Sequence, residues 1–318
     1  MYVEASRRAE LHGDRIFTTP ARQDPYPSRL STPPPKRLLP RHESLTQQIS
    51  KNGPLTPAQC ADFERDGFLF EEGFLGADDI ALFQQELDRL LSRDAFRGRE
   101  FTITEPDSAA IRSLFAVHFL STAFKKLAFD PRLLGRVEQL LGGQAYIHQS
   151  RINYKPGFVG KGFDWHSDFE TWHAEDGMPA MRAISASIVL TDNTPFNGPL
   201  MLIPGSHQFF VPCVGETPED NYRQSLKKQR IGTPPEEALR ELIDRGGIRA
   251  PTGAAGSLLL FDCNTLHGSQ PNMSPQPRSN VFFVYNRRDN LCTEPYGAAK
   301  PRPEFLAHRP DKNWTPIM

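Results

Sequence analysis

The chain has 318 residues, of which 38% are hydrophobic and 24% are charged, and its formal net charge is -1 at pH 7. This length can bury one sizeable core, and near-neutrality gives no electrostatic case for nucleic acid or an anionic membrane surface as a partner. No apolar stretch approaches the roughly 20 residues that span a bilayer, and the N-terminus lacks the apolar core of a secretory signal, so we expect a cytoplasmic protein with free thiols.

Residues 1–45 are rich in Pro, Arg and Ser, and they follow neither a helical nor a strand period. Such a composition is typical of a mobile or loosely docked arm. Residues 46–318 carry the folded signal and are expected to form a single domain. Within it, residues 216–247 are polar and partly helical, which indicates an insertion between strands.

Three segments before residue 145 follow a helical period, and their bounds are 56–67, 78–91 and 121–141. Thr56 followed by Pro57 is a helix start, and Gly142 is a helix stop. Pro131 is expected to interrupt the third segment. The apolar stripe of the second segment runs through Ile80, Leu82, Phe83, Leu87, Leu90 and Leu91, and predicts a helix that packs against a sheet.

After residue 144 the hydrophobic period changes from helical to two. The strand-like runs cover residues 146–155, 181–191, 200–203, 257–261 and 280–285, in addition to a brief run over 67–70. Helices first and strands afterwards argue against an alternating chain of parallel strands. The pattern predicts a mainly β protein with flanking helices, built on a double-stranded β-helix of the jelly-roll or cupin type.

The first chemical motif is His166-Ser167-Asp168. On an extended chain, residues two apart point to the same side, so an imidazole and a carboxylate could reach one metal ion. His267 follows the apolar run 256–261 and supplies a second imidazole. Two histidines and one carboxylate with open positions are the ligand set of non-haem Fe(II) oxygenases.

Arg278 lies eleven residues beyond His267 and opens another apolar strand. An arginine entering such a strand is costly unless it is paired, and a guanidinium forks well onto a carboxylate. The order strand, His, loop, Arg is what a 2-oxoglutarate-dependent oxygenase needs. The alternative is that Arg278 caps the strand in a surface ion pair.

Two further features are less decisive. Gln149, Arg151, Asn153 and Lys155 share one face of a strand leading towards the motif, which indicates either a polar site wall or a solvated sheet face. His207 in Pro204-Gly205-Ser206-His207 is interpreted as a turn residue and not as a fourth ligand.

The chain resembles the ectoine hydroxylases, a family within the phytanoyl-CoA dioxygenase superfamily, over roughly residues 24–309. The resemblance is strongest in FDWHSDFETWHAEDGMPAMR at 163–182, and it extends to residues 149–157, 197–201, 204–207 and 278–286. It implies a jelly-roll fold with Fe(II) as cofactor and 2-oxoglutarate and O2 as co-substrates. It also implies the conversion of ectoine to 5-hydroxyectoine, with release of succinate and CO2, and a possible homodimer.

The resemblance also implies roles for single residues. The iron ligands would be His166, Asp168 and His267, and the residues around 2-oxoglutarate would be Lys155, Arg278, Ser269, Asn280 and Phe115. The ectoine site would be lined by Gln149, Trp172, Phe261, Phe282 and Arg302. A guanidinium such as Arg302 suits the carboxylate of ectoine, and the face of Trp172 suits its amidinium ring.

Two alternatives stay open from the sequence. A phytanoyl-CoA-dioxygenase-like hydroxylase of another small metabolite would keep the triad and change only the pocket, so a substrate panel distinguishes it. A non-catalytic jelly-roll module that binds a metal or small ligand is disfavoured by the intact triad and Arg278.

Overall fold

A computed structural model of the chain describes residues 23–32, 34, 36–105, 110–226, 228–312 and 316. The α-helices are α1 Leu45–Gln48, α2 Pro57–Asp66, α3 Ala77–Leu91, α4 Val117–Leu120, α5 Thr122–Ala128, α6 Pro131–Leu141, α7 Asp168–Thr171, α8 Tyr222–Ser225 and α9 Glu236–Gly246. The strands are β1 Leu39–Pro40, β2 Phe68–Glu71, β3 Thr102–Thr104, β4 Ile111–Phe115, β5 Ala145–Lys155, β6 Phe163–His166, β7 Ala183–Val189, β8 Leu200–Leu202, β9 Phe209–Phe210, β10 Leu258–Asp262, β11 His267–Ser269 and β12 Arg278–Arg287.

The helix ends follow local rules. Thr56 forms a capping box at α2, because its hydroxyl accepts from the Gln59 amide while the Gln59 side chain accepts from the Thr56 amide. The carboxylate of Asp130 caps α6, and Gly142 ends that helix with a left-handed φ of 64°. The predicted helical segments are therefore confirmed, including the interruption before Pro131. Leu82 is an exception to the apolar stripe, since it is 50% exposed on the solvent side of α3.

Two antiparallel sheets form the core of the molecule. The larger has seven strands in the order β2-β10-β7-β12-β5-β4-β3, and the smaller has three in the order β6-β11-β8. A separate two-stranded sheet pairs β1 of the N-terminal segment with β9. Strands that are neighbours in space are mostly distant in sequence, so no parallel crossover unit occurs among the described strands.

The side-chain period of two divides the core into two layers. On β10, Leu258 and Leu260 pack with the helices, whereas Leu259 and Phe261 pack between the sheets against β8. Strand β12 repeats the pattern with Phe283 outward and Phe282 inward. The molecule is thus a double-stranded β-helix with helices on the outer face of the larger sheet, as the sequence predicts.

Several short strands have no counterpart in the sequence pattern. Strands β3, β4, β6 and β11 are three to five residues long, which is too short to display a period. The metal motif also differs from the expectation of one extended chain, since β6 ends at His166 and Asp168 begins α7.

The N-terminal segment differs from the loosely docked arm that its composition predicts. Tyr26 is 1% exposed, and Arg29 and Arg41 are buried in ion pairs with carboxylates of the main body. The prediction of a mobile or loosely docked arm is therefore wrong for residues 23–45, among which the structure does not describe residues 33 and 35. Aromatic burial and ion pairing dock a segment that has no regular period. Residues 1–22 lie outside the described residues.

The segment 216–247 lies between β9 and β10 and contains α8 and α9. Apolar residues of α9, Ala238 and Leu242, pack against Ile203 and Leu266 next to the smaller sheet. In the described ranges, no helix is both long enough and apolar enough to cross a membrane.

Candidate active site

The smaller sheet brings the two motif histidines together. His166 and His267 are direct partners across the antiparallel pair β6 and β11, and their ring centroids are 4.3 Å apart. Ser167 between His166 and Asp168 is extended (φ -105°, ψ 130°), so both side chains leave the chain on the same side. Strand pairing therefore supplies two groups of the cluster and the chain turn supplies the third.

One ligand atom from each of His166, Asp168 and His267 lies within 4.8 Å of the others. The Nε2 atoms of the two histidines are each 3.8 Å from a carboxylate oxygen of Asp168. This spacing leaves room for a cation between the three groups. His207 is buried elsewhere, beside the carbonyl oxygen of Glu64, and is not part of the cluster.

Backbone carbonyl groups orient both imidazoles. The Nδ1 atom of His166 lies 2.7 Å from the carbonyl oxygen of Asp164, and that of His267 lies 2.9 Å from the carbonyl oxygen of Thr265. A carbonyl can only accept, so Nδ1 carries the proton in each ring and Nε2 keeps its lone pair. The lone pairs then face the carboxylate of Asp168, as in metal-binding histidines.

The protonation states suit a metal centre. Burial, reinforced by the neighbouring His166, lowers the pKa of His267 to about 4, so this imidazole is neutral near pH 7. Burial opposes the charge of Asp168, but His267, Arg151 and His166 together hold the pKa of its carboxyl below the ordinary value. Two imidazoles and one carboxylate are a donor set that fits Fe(II).

Next to the triad, Lys155 and Arg278 form a pair of buried basic groups. Both donate to the carbonyl oxygen of Gly198, the ammonium group at 3.4 Å, and Lys155 also donates to the Ser269 hydroxyl at 2.8 Å. Among the described residues, no carboxylate lies within 4.0 Å of either group, and Arg278 is 3% exposed. Burial therefore excludes the surface ion pair that was the alternative for Arg278.

The charges of this pair are strongly perturbed. Burial, with Arg278 and Arg112 nearby, lowers the pKa of Lys155 to about 6, and burial lowers the pKa of Arg278 to about 10. Charge on both buried groups is costly without negative charge from a ligand, and the lowered pKa leaves the Lys155 amine largely neutral near pH 7 in the free protein. The pair therefore fits an anionic ligand such as the distal carboxylate of a dicarboxylate.

One cavity contains the triad and most of the residues predicted from the sequence. Its lining includes Phe115, Gln149, Trp172, Phe282, Arg302, Ser269 and Arg278 together with the triad. The remaining three predicted residues lie behind this wall. Lys155 reaches Ser269 from behind, Asn280 accepts from Nε of Arg278 at 3.3 Å, and the ring of Phe261 lies 5.0 Å from that of His267.

Arg302 enters the cavity already oriented. Its Nε and Nη2 donate to the two oxygens of Asp176 at 2.8 and 2.6 Å. Despite complete burial, Arg302 and His148 lower the pKa of Asp176 to about 2, so the pair stays ionised. Among the described residues, no hydrogen bond occupies Nη1 of Arg302, which leaves this group for a ligand.

The cavity also contains residues that were given no role in the sequence analysis. Arg151 and Asn153 lie on the polar face of β5, and Thr171 and Glu175 come from α7 and the turn after it. The insertion contributes Asn221, Ser225, Leu226, Gln229 and Ile231. The polar face of β5 was a usable signal, whereas the insertion carries no pattern that predicts a place beside the triad.

Comparisons with known proteins give a consistent result. Residues 63–280 match the phytanoyl-CoA dioxygenase (PhyH) family. The chain is 67% identical over 294 residues to the ectoine dioxygenase of Halomonas elongata, covering 92% of this chain and 89% of the relative. It is 51% identical over 296 residues to the ectoine dioxygenase of Stutzerimonas stutzeri, with 92% and 96% covered.

A solved relative shares the fold. The crystal structure of EctD from S. alaskensis with 2-oxoglutarate and 5-hydroxyectoine aligns with a TM-score of 0.80 at 45% identity, covering 90% of this chain and 95% of that one. The same protein with bound Fe aligns with a TM-score of 0.78 at 44% identity, covering 90% and 95%.

Proposed function

The chain belongs to the phytanoyl-CoA dioxygenase family, and we propose that it hydroxylates ectoine to 5-hydroxyectoine with Fe(II), 2-oxoglutarate and O2. The observation that carries this is one cavity lined by the triad and Arg278, with Lys155 directly behind the same wall and no carboxylate of the described residues within 4.0 Å of either basic group. A metal site alone would fit many proteins, but this combination fits a metal and a dicarboxylate at once.

His166, Asp168 and His267 would hold the iron through Nε2, a carboxylate oxygen and Nε2. Bound there with 2-oxoglutarate, Fe(II) would supply the chemistry of O2 activation, by which one oxygen atom enters ectoine and the other enters succinate as CO2 is released. The carbonyl groups of Asp164 and Thr265 keep the imidazoles in the ligating tautomer. Both contacts come from residues two positions before each ligand.

Lys155 and Arg278 would neutralise the distal carboxylate of 2-oxoglutarate. The side-chain oxygen of Asn280 fixes the guanidinium of Arg278, and Ser269 fixes the ammonium group of Lys155. The apolar ring of Phe115 lies in the same wall and excludes water from the chain of the co-substrate. Binding thus exchanges the hydration of the dicarboxylate for fixed donors.

Ectoine would lie against the aromatic side of the cavity. The face of Trp172 attracts its delocalised amidinium, and Nη1 of Arg302 is available for its carboxylate. The amide of Gln149, anchored by Nε2 to the carbonyl of Leu306 at 2.7 Å, adds a polar contact. Phe282, with Phe261 behind it, supplies the apolar wall.

Three broader expectations belong to the same proposal. A single dioxygenase domain over residues 46–318 is supported by the core clusters that run through both sheets and the helices. A cytoplasmic location is part of the same proposal, and resemblance to the family supports a homodimer. Size-exclusion chromatography with light scattering tests the homodimer, and a monomer at micromolar concentration would contradict it.

The reaction is tested by aerobic incubation of the full-length protein with ectoine, Fe(II) and 2-oxoglutarate, followed by mass spectrometry. We expect a product sixteen mass units heavier than ectoine (one added oxygen atom), formed in step with succinate. Consumption of 2-oxoglutarate without that product would point to a different small metabolite as substrate.

The metal assignment is tested separately by His166→Ala, which should lose both iron binding and product. The exposed His42 lies outside the cavity, so His42→Ala is the control that should retain both. Full activity in His166→Ala would contradict the assignment.

A further inference from the structure

Asp168 begins a short helix with two distinct faces. We call α7 and the π-helical turn that continues it, Trp172–Asp176, the ligand helix. Its residues Asp168, Thr171, Trp172 and Glu175 line the cavity. This spacing of i, i+3, i+4 and i+7 is one face of a helix. The rotation of the ligand helix about its own axis therefore determines where these side chains point, and most of all those of Trp172 and Glu175, which lie beyond its first turn.

The opposite face of the ligand helix is covered by residues 24–29 of the N-terminal segment. The ring of Tyr26 meets that of Phe169 edge to face with centroids 5.2 Å apart, and the Ser28 hydroxyl donates to Glu170 at 2.6 Å. Asp24 lies 2.8 Å from Nε2 of His173. Contacts thus occur along most of the helix, on the side away from the cavity.

Arg29 connects the two faces. Its Nε and Nη2 donate to the two oxygens of Glu170 at 2.6 and 2.8 Å, while Nη1 lies 3.1 Å from Glu175. All three side chains are almost fully buried. Such bidentate pairs fix direction as well as distance.

The same oxygen of Glu175 accepts a hydrogen bond from the Asn221 amide at 2.8 Å, inside the cavity wall. The backbone of Arg29 adopts a left-handed φ of 58°. A non-glycine residue is held in this region only when its surroundings determine its conformation. Arg29 is thus fixed at both its backbone and its guanidinium group.

We propose that residues 24–29 form a clamp that fixes the rotation of the ligand helix, and that Arg29 is a positioning residue for ectoine. Arg29 holds Glu175 directly. Through its fork with Glu170, it also fixes the direction of the Trp172 side chain. The identity of the ligand rests on the proposed function. The first turn of the ligand helix, which carries Asp168, is held separately, because the Phe169 amide donates to the Cys263 carbonyl oxygen at 2.8 Å. Lys155 and Arg278 make no contact with the clamp, so loss of the clamp should affect 2-oxoglutarate binding much less than ectoine binding.

The test compares two dissociation constants by titration calorimetry on the full-length protein loaded anaerobically with Fe(II). In Arg29→Met, two buried carboxylates lose their cation, and the ligand helix is free to rotate. We expect the dissociation constant for ectoine to rise at least about tenfold, since small displacements of positioning groups are costly. That for 2-oxoglutarate should stay within about twofold. Arg29→Lys keeps the charge without the fork and should fall between wild type and Arg29→Met.

Arg136→Met is the matched control. Arg136 of α6 makes the same fork with Glu71 at the end of β2, at 3.0 and 2.8 Å, and neither residue lines the cavity. It should leave the ratio of the two constants unchanged, even if it lowers stability. If Arg29→Met does not fold, Ser28→Ala removes one contact to Glu170 and should raise the ratio by about threefold.

Equal changes in both constants, or an unchanged ratio in the folded Arg29 and Ser28 variants, would overturn the clamp. Wild-type protein that binds 2-oxoglutarate but no ectoine would instead contradict the proposed function. These two failures are therefore distinguishable.

Discussion

Arg278 and Lys155 are held in place by neutral groups alone, and that choice of partners has a functional consequence. The guanidinium of Arg278 is oriented by the Gly198 carbonyl and the Asn280 amide. Neither contact neutralises its charge, so the attraction for an incoming carboxylate is retained. A carboxylate partner within the protein would stabilise the arginine and compete with the ligand.

Arg278→Lys tests the fork of the guanidinium at this position. A lysine keeps the positive charge but offers one rotatable group in place of two parallel donors. We expect the dissociation constant for 2-oxoglutarate to rise by roughly tenfold and that for ectoine to change little. Calorimetry measures both. Arg65→Lys, at an exposed arginine of α2, is the control, and an equal effect there would contradict the prediction.

Lys155 predicts a pH dependence of 2-oxoglutarate binding. Its pKa falls from an ordinary value of 10.5 to about 6 because the ammonium is buried beside Arg278. Between these values the amine is neutral in the free protein and protonated in the unfolded chain. The free fold therefore gains stability as pH rises from about 6 towards 10.5.

A carboxylate bound at Lys155 favours the charged amine, so ligand binding should take up a proton above pH 6. The dissociation constant of 2-oxoglutarate should then rise with pH, by at most about tenfold per unit. Calorimetry in buffers of different ionisation enthalpy measures the uptake. Lys155→Met should abolish it, and uptake that persists in this variant would contradict the assignment to Lys155.

At the scale of elements, segments with their own periodic pattern were predictable and segments fixed by distant contacts were not. The capping box predicts the start of α2 from the local sequence, and the glycine after α6 predicts the end of that helix. Strand β11 has three residues and is defined by its pairing with β6 and β8. Its place could be inferred from the chemistry of His267 but not from any period.

The same distinction applies to the candidate site. The sequence predicted four site residues because each lies at a strand end or a chain turn, where a metal ligand or a carboxylate-binding group explains its type. They are His166, Asp168, His267 and Arg278. The polar face of β5 indicated Arg151 and Asn153 as well. Arg29 and Asn221 could not be predicted, since an irregular segment and a polar insertion reach the ligand helix only through the tertiary fold.

Gly142 allows a test of how much the turn after α6 contributes to the stability of the fold. It ends α6 in the left-handed region, and a Cβ atom built there would lie 1.8 Å from the carbonyl oxygen of Gln48. Gly142→Ala should lower the free energy of unfolding by about 2 kcal/mol or more, combining backbone strain with a clash. Chemical denaturation measures the change.

Gly76→Ala is the control for that substitution. Gly76 precedes α3 with an ordinary φ of -78°, and no atom lies within 4 Å of the added methyl group. A loss of stability in Gly76→Ala equal to that in Gly142→Ala would show that the helix end is not the cause.

At the scale of the whole molecule, the cavity lowers the stability of the unliganded fold. The guanidinium of Arg278 loses its hydration on burial, and no carboxylate among the described residues lies within 4.0 Å of it. Arg29 in the clamp and Arg302 in the cavity have the opposite character, since both are buried against carboxylates. Destabilising charges are thus concentrated where a ligand is expected to bring the counter-charge.

Ligand-dependent stability follows from this arrangement. Saturation with 2-oxoglutarate at one hundred times its dissociation constant should stabilise the Fe(II)-loaded protein by about 2.7 kcal/mol. Arg278→Met removes the unpaired charge, so we expect the variant without ligand to melt at a higher temperature than wild type and to lose most of the increment. Arg136→Met instead leaves Glu71 without its partner and should melt at a lower temperature, with the ligand increment intact. Thermal unfolding with and without ligand distinguishes the two variants. A lower melting temperature for unliganded Arg278→Met than for wild type would contradict the prediction. It would mean that the contacts with Gly198 and Asn280 are enough to stabilise the buried guanidinium.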